Sequence, residues 1–135
     1  MPAESREEDG MIKGIHHVSM KCGTAADLER VKDFYVRVLG MSVCREWDEG
    51  IMIDCGNACI EVFTNGEGER RRGAIRHIAL LTDDVDRLCE KVRRFGYEVF
   101  IEPDDQVFRS SPEYRFRMAF CRGPLGEEVE LFCEQ

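Results

Sequence analysis

The stretch IHHVSM, residues 15–20, decides the fold, because it returns in altered form as IRHIAL at residues 75–80. Each stretch begins with isoleucine, has histidine at its third position, and continues with a β-branched, a small and a long apolar residue. The chain has 3 histidines, and two of them occupy this shared position. A histidine-bearing strand that occurs twice predicts a duplicated structural module.

A helix is predicted after each of these strands. In residues 24–40 and again in residues 83–96, apolar side chains recur at the three- and four-residue spacing of one helical face. Thr24 and Asp83 are the predicted N-caps, and each range ends on a glycine, which is a frequent helix stop.

Three strand-like runs follow each helix, and turn-forming residues separate most of them. The runs are residues 41–47, 50–55 and 58–63 in the first half, and residues 97–102, 115–121 and 127–132 in the second. The segment PDDQVFRSSPEY, residues 103–114, is predicted as a loop. The pattern is therefore βαβββ written twice.

The predicted fold class is α+β, with two βαβββ modules that form a curled mixed sheet around a cleft. The modules span residues 12–65 and 74–133 of a single domain, residues 11–135. The polar residues 1–10 are predicted to be a disordered leader, and residues 64–73, which include the ERRR run, to be a linker.

Composition and charge argue against nucleic acids and membranes as partners of this chain. A net charge of −8 argues against non-specific nucleic-acid binding, which needs surplus Lys and Arg. No apolar run approaches the length of a membrane span. The 7 cysteines show no CxxC spacing, so we expect reduced thiols in a cytoplasmic protein that binds a small molecule.

The alternation of side chains along the strands places four polar residues on one side of the sheets. Val18 and Met20 suit a helix-covered face, which leaves His17 on the other face, and His77 follows the same pattern. In the last strand of each half, a glutamate stands between two apolar residues; these are Glu61 and Glu130.

Two imidazoles and two carboxylates on one face are a reasonable ligand set for a divalent transition metal such as nickel, zinc, cobalt or manganese. A single strand histidine is more often structural than a metal ligand, and a strand glutamate is more often merely solvated. Four such residues at matching positions of a repeat favour a metal site in the cleft. The small Ser19 and Ala79 beside the histidines leave that face open.

With these motifs in hand, the chain resembles the vicinal oxygen chelate superfamily, which includes glyoxalase I, bleomycin-resistance proteins, methylmalonyl-CoA epimerase and extradiol dioxygenases. The resemblance rests on HHVSM, DFYVRVLGM, IEVF, RHIAL and GEEVELF and covers residues 12 to 133. It implies metal ligands at His17, Glu61, His77 and Glu130. It also implies Glu130 as the catalytic base, with Glu61 assisting from the opposite side.

Within that superfamily the chain looks most like glyoxalase I, a metal-dependent lyase or isomerase that acts on the hemithioacetal of methylglyoxal and glutathione. The resemblance implies substrate binding by Lys21 and Asn65, where glyoxalase I usually has an arginine and an asparagine. Strand parity suggests that Arg115 and Arg117 face the cleft and bind a carboxylate or phosphate. His16 is assigned a structural role.

Several alternatives remain open at this point. The nearest enzymatic alternative is an acyl-CoA epimerase of the methylmalonyl-CoA type, and a thiol transferase that inactivates an antibiotic is another. A metal-free antibiotic-binding protein is the alternative from a different class. The resemblance also implies a homodimer, which would cover exposed strand edges and could share the site between two chains.

Overall fold

The computed structural model of the chain describes residues 11, 13–66 and 73–135. The predicted leader and the ERRR run lie outside these residues. The strands are β1 (His17–Lys21), β2 (Ser42–Trp47), β3 (Gly50–Asp54), β4 (Cys59–Phe63), β5 (Ile78–Leu81), β6 (Val99–Phe108), β7 (Tyr114–Arg122) and β8 (Glu128–Glu134). The helices are α1 (Ala25–Lys32), which continues as a π-helical segment over Asp33–Val38, and α2 (Val85–Arg94).

The strands form two four-stranded sheets, one in each half of the chain. Their orders are β1-β4-β3-β2 and β5-β8-β7-β6. In each sheet the first strand, which begins at His17 in β1 and directly after His77 in β5, pairs in parallel with the last strand, and the remaining pairs are antiparallel. The predicted α+β class with two βαβββ modules is confirmed, and β1 and β5 are both edge strands of their sheets.

The helix boundaries follow from their caps. The Thr24 side chain accepts a hydrogen bond from the Asp27 N–H at 3.0 Å, as the predicted N-cap requires. The second N-cap is Asp84 rather than the predicted Asp83, because it is the Asp84 carboxylate that accepts from the Arg87 N–H. Gly40 has a φ of 77°, the left-handed conformation that favours glycine at a helix end. Among the described residues, no helix has both the length and the apolar character needed to cross a membrane.

The predicted loop over residues 103–114 is largely wrong. β6 runs to Phe108, and it pairs with β7 up to the register Phe108↔Tyr114. Pro103 fits inside β6 because β6 is an edge strand, where a residue without an N–H costs no ladder hydrogen bond. The acidic and proline-containing sequence was therefore compatible with an edge strand.

One continuous core holds the two modules together. A single cluster of buried apolar side chains includes Val31 and Phe34 of the first module and Val92 of the second. The π-helical segment contacts α2. Each helix packs on the core-facing side of its sheet. No helix of the described residues covers the opposite side.

Two hydrogen bonds also cross between the modules. The buried Tyr35 donates its hydroxyl to Oε2 of Glu127 at 2.8 Å. Tyr97 donates to Oδ2 of Asp33 at 2.6 Å. Both contacts involve the π-helical segment, so this irregular part of the first helix fixes the second module against the first.

Candidate functional site

The predicted strand parity of the first module is confirmed. In β1, Val18 and Met20 are half-buried toward the core, whereas His17 and Ser19 are exposed. β1 and β4 are parallel with Ser19 opposite Glu61, so the histidine and the glutamate share one face. We call this uncovered face of each sheet the site face.

His17 and Glu61 form a pair on the first site face. His17 Nε2 lies 3.5 Å from Oε1 of Glu61. The Nδ1 atom of His17 lies 2.9 Å from Nδ1 of His16, and the two rings meet edge to face. Since Nδ1 is engaged by His16, Nε2 is the nitrogen that remains for the carboxylate or for a metal.

His77 and Glu130 form the matching pair on the second site face. His77 Nε2 lies 3.2 Å from Oε1 of Glu130, whose side chain is only 11% exposed. Burial raises the pKa of Glu130, and the neighbouring His77 partly offsets this. The edge of the His77 ring meets the ring of Phe120 at a centroid distance of 5.1 Å, which fixes the orientation of the imidazole.

Each pair has the spacing that two neighbouring ligands of one metal ion require. With metal–nitrogen and metal–oxygen bonds of about 2.1 Å, adjacent ligand atoms lie ~3 Å apart. The observed 3.5 Å and 3.2 Å are near that value. The nitrogen and oxygen donors fit a divalent transition ion.

The described part of the chain brings the four residues together as two pairs and not as one cluster. Within it, no group of three or more His, Cys, Asp and Glu side chains is arranged to hold a metal ion. The chain therefore presents two half-sites, one on each module, and each contains one imidazole and one carboxylate.

The predicted substrate-binding residues are divided between the two faces. Lys21 is exposed on the first site face, in the same parity as His17, and Asn65 is exposed in the loop after β4. Arg117 pairs with Cys133, a neighbour of the core, and forms ion pairs with Asp86 of α2 at 2.7 Å and with Asp105 at 3.0 Å.

The expectation that Arg115 and Arg117 face the cleft is therefore wrong. Arg115 has the same parity as Arg117 and pairs with Glu113 at 2.7 Å. The residue that lies opposite Glu130 on β7 is Phe120. On β7, the side chains of the site face are themselves apolar. The assumption that apolar side chains mark the helix-covered face therefore placed the residues of β7 on the wrong faces.

Two contributors to the site were not identified from the sequence. His16, which received a structural role, contacts the ligand candidate His17. Phe120 supports His77 and neighbours Glu130. The adjacency of the two histidines in HHVSM was a sequence signal for the role of His16. The role of Phe120 depends on the register between β7 and β8, which the sequence of β7 alone does not reveal.

Comparisons with known proteins identify the family of the chain. The family model described as Glyoxalase/Bleomycin resistance protein/Dioxygenase superfamily matches residues 14–131. The lactoylglutathione lyase of Escherichia coli O157:H7 is 30% identical over 131 residues, which cover 88% of this chain and 91% of that protein. The protein YwkD of Bacillus subtilis strain 168 is 28% identical over 134 residues, covering 90% and 98% respectively.

Solved structures show the same fold. A trypanothione-dependent glyoxalase I of Leishmania major superposes with a TM-score of 0.70 at 24% identity, covering 90% of this chain and 87% of that one. A glyoxalase family protein of Enterococcus faecalis gives a TM-score of 0.67 at 22% identity, covering 90% and 98%.

Proposed function

Because the chain belongs to the glyoxalase/bleomycin resistance protein/dioxygenase superfamily, we propose that it is a metal-dependent lyase or isomerase of the glyoxalase I type. Relatives named lactoylglutathione lyase support a substrate formed from a thiol and a 2-oxoaldehyde. The reaction would move a proton between two neighbouring carbons of that hemithioacetal.

One observation carries this proposal, namely the repetition of a His–Glu pair on both modules. His17 with Glu61 and His77 with Glu130 lie at equivalent strands, on equivalent faces and at nearly equal distances. A single such pair would be a common surface ion pair. Two equivalent pairs, each with the spacing of adjacent metal ligands, support a shared divalent metal.

We propose that two copies of the chain complete the metal site. Both histidine strands are sheet edges, and unpaired edges readily accept another strand. Ile75, three residues before β5, is an apolar side chain that is 81% exposed near this edge. If the β1 edge of one copy lies beside the β5 edge of another, the two half-sites face one another and supply four ligands.

The residues of the second half-site are suited to proton transfer. A bound divalent metal would polarise the carbonyl and hydroxyl oxygens of the substrate and acidify the hydrogen on the hydroxyl-bearing carbon next to the carbonyl. Glu130 would remove that hydrogen as a proton through its second carboxylate oxygen, since Oε1 lies against His77. Burial raises the pKa of Glu130 and makes its carboxylate a stronger base.

The decisive experiment replaces the proposed base. Glu130→Gln keeps the shape of the side chain and an oxygen for a metal, but the amide cannot accept the proton. We expect metal analysis to show nearly full occupancy, while isomerisation of the glutathione–methylglyoxal hemithioacetal falls by ~10²-fold or more. Exchange of deuterium at the substrate carbon should fall in parallel.

The outcome separates the roles of the two carboxylates. Parental turnover in a metal-loaded Glu130→Gln variant would show that Glu130 is only a ligand, and Glu61→Gln would then be the variant to measure. A purified protein that takes up neither nickel, zinc, cobalt nor manganese would instead indicate a metal-free binding protein. An acyl-CoA thioester in the same substrate panel tests the epimerase alternative.

A further inference from the structure

Glu130 lies at a boundary between polar and apolar side chains on the second site face. Its own register row places it beside Ala79 on β5 and Phe120 on β7. On one side the adjacent row contains Glu128 and Arg122, which are paired across β7 and β8. These polar groups lie toward His77, where the oxygens of a substrate would bind.

The adjacent row on the other side is apolar across three strands. Leu81 lies opposite Phe132, and Phe132 lies opposite Met118. Beyond them Phe116 stacks on Phe132 at 4.7 Å, and Tyr114 lies 5.3 Å from Phe116. We call these five residues the apolar strip.

The part of the strip next to the proposed base is accessible, whereas Phe116 is buried. Leu81 is 81% exposed, and Phe132 and Met118 are half-buried. An apolar surface that begins one row from the reacting position suits the substituent of a substrate.

Arg115 and Arg117, which were predicted to bind a carboxylate or phosphate of the substrate, do not lie beside the apolar strip. Arg117 is on the opposite face of β7 and is bound by Asp86 and Asp105. Arg122, which does lie on the site face, covers the ring of Phe100 at 4.3 Å and pairs with Glu98 at 3.2 Å. Neither arginine points a vacant guanidinium at the apolar strip.

The first module has a smaller apolar surface at the equivalent row. Phe63 lies opposite Lys21 and Gly50, and the Trp47 ring lies 5.3 Å from that of Phe63. Gly50 leaves room for the indole, since a β-carbon there would lie 2.7 Å from it. Both modules therefore have aromatic rings one row beyond their glutamate.

We propose that the apolar strip binds an aromatic substituent on the reacting 2-oxo compound, so that this site prefers aryl over methyl substrates. The inference rests on the proposed function only for the position of the reacting carbons. The ring would lie over Phe132 and Met118, with the substrate oxygens directed toward His77 and Glu130. Stacking and burial of one ring account for a preference of about tenfold or more.

Binding and turnover are measured separately to test this. Calorimetric titration of the metal-loaded protein with phenylglyoxylate and with pyruvate compares an aryl with a methyl 2-oxo acid that carry the same oxygens. We expect phenylglyoxylate to bind at least about tenfold more tightly. Turnover is compared for the glutathione hemithioacetals of phenylglyoxal and of methylglyoxal.

The chain offers a matched pair of variants. Leu81→Gln alters the apolar strip at a side chain that is 81% exposed, so the fold should tolerate it. Val107→Gln changes a side chain that is 42% exposed on β6, opposite Arg115 and so outside the strip. We expect Leu81→Gln to reduce the aryl-to-methyl binding ratio several-fold and Val107→Gln to leave it unchanged. Phe132→Leu should reduce the ratio further.

The outcomes distinguish this inference from the proposed function. Equal binding of the two acids would overturn the apolar strip as a substrate site, even if hemithioacetals are turned over. Preferential binding of phenylglyoxylate without turnover would overturn the glyoxalase activity and leave the aryl preference standing. If Leu81→Gln converts a dimer to a monomer by light scattering and Phe132→Leu leaves the ratio unchanged, a second copy occupies the strip, and the inference fails.

Discussion

Period-two alternation in short strands was enough to predict which sheet face carries each of the four candidate metal ligands. His17, Glu61, His77 and Glu130 lie where the alternation puts them, because in each case apolar neighbours on the same strand enter the core. Alternation failed at Arg117, whose strand has an apolar site face as well as an apolar core face. A sequence pattern cannot distinguish two apolar faces without the register of the neighbouring strand.

The contact between the adjacent histidines leads to a prediction about metal affinity. His77→Ala removes a proposed direct ligand, so we expect the largest loss of affinity for nickel or zinc in equilibrium dialysis. His16→Ala removes only the group that holds Nδ1 of His17 at 2.9 Å, and such supporting groups contribute roughly tenfold. Identical losses in the two variants would mean that His16 is itself a ligand.

The sequence predicted which segments are helices and which are strands better than it predicted where those helices and strands end. The helices begin where their caps are, but the π-helical segment over Asp33–Val38 has no signature in the apolar spacing. β6 extends through a segment rich in aspartate because its pairing with β7 outweighs the low strand propensity of those residues. Both differences arise from tertiary contacts that local sequence does not contain.

The π-helical segment supports a prediction about stability and pH. The hydrogen bond from Tyr97 is the main cause that lowers the pKa of Asp33 below its ordinary value of 3.8. Tyr97→Phe keeps the ring against Phe34 but removes that bond, so the free energy of unfolding at pH 7 should fall by about 1–2 kcal/mol.

The sign of the pH dependence follows from the direction of that shift. A lowered carboxylate pKa stabilises the fold above the unfolded value and loses its effect as pH falls through the folded value. The difference between the parent and Tyr97→Phe should therefore be constant above about pH 5 and shrink below pH 3.8. Tyr114→Phe is the control in urea unfolding, because the Tyr114 hydroxyl makes no hydrogen bond within the described residues. A difference that persists at low pH would assign the loss to packing.

At the scale of the whole molecule, the sequence predicted two modules but not how their half-sites meet. Within the described residues the two His–Glu pairs do not form one cluster. In the proposed dimer, the half-sites join through the surface of a second copy, and the sequence of one chain does not indicate which strand edges would pair.

Mixing of two inactive variants tests whether the site is shared. If β1 of one copy adjoins β5 of the other, a heterodimer of His17→Ala and His77→Ala chains has one intact site and one site without both histidines. Random pairing then restores about a quarter of the parental activity, since half of the dimers are mixed and each has one working site of two.

The control for this experiment is each variant mixed with itself. Light scattering should give twice the chain mass of 15.6 kDa for the parent and for both variants. Failure of the unlike mixture to regain activity, while the proteins exchange subunits, would place all four ligands within one chain.

The boundary at Glu130 has a consequence for the handedness of the product. Polar groups at Arg122 and Glu128 lie on one side of this carboxylate and the apolar row of Leu81, Phe132 and Met118 lies on the other. In the proposed binding mode, a substrate with an oxygen end and an aromatic end would lie in only one direction. Glu130 would then take the proton from the hydroxyl-bearing carbon and deliver it to one face of the planar intermediate at the neighbouring carbon. The product should accumulate as a single enantiomer, and a racemic substrate should be consumed through one mirror form faster than through the other.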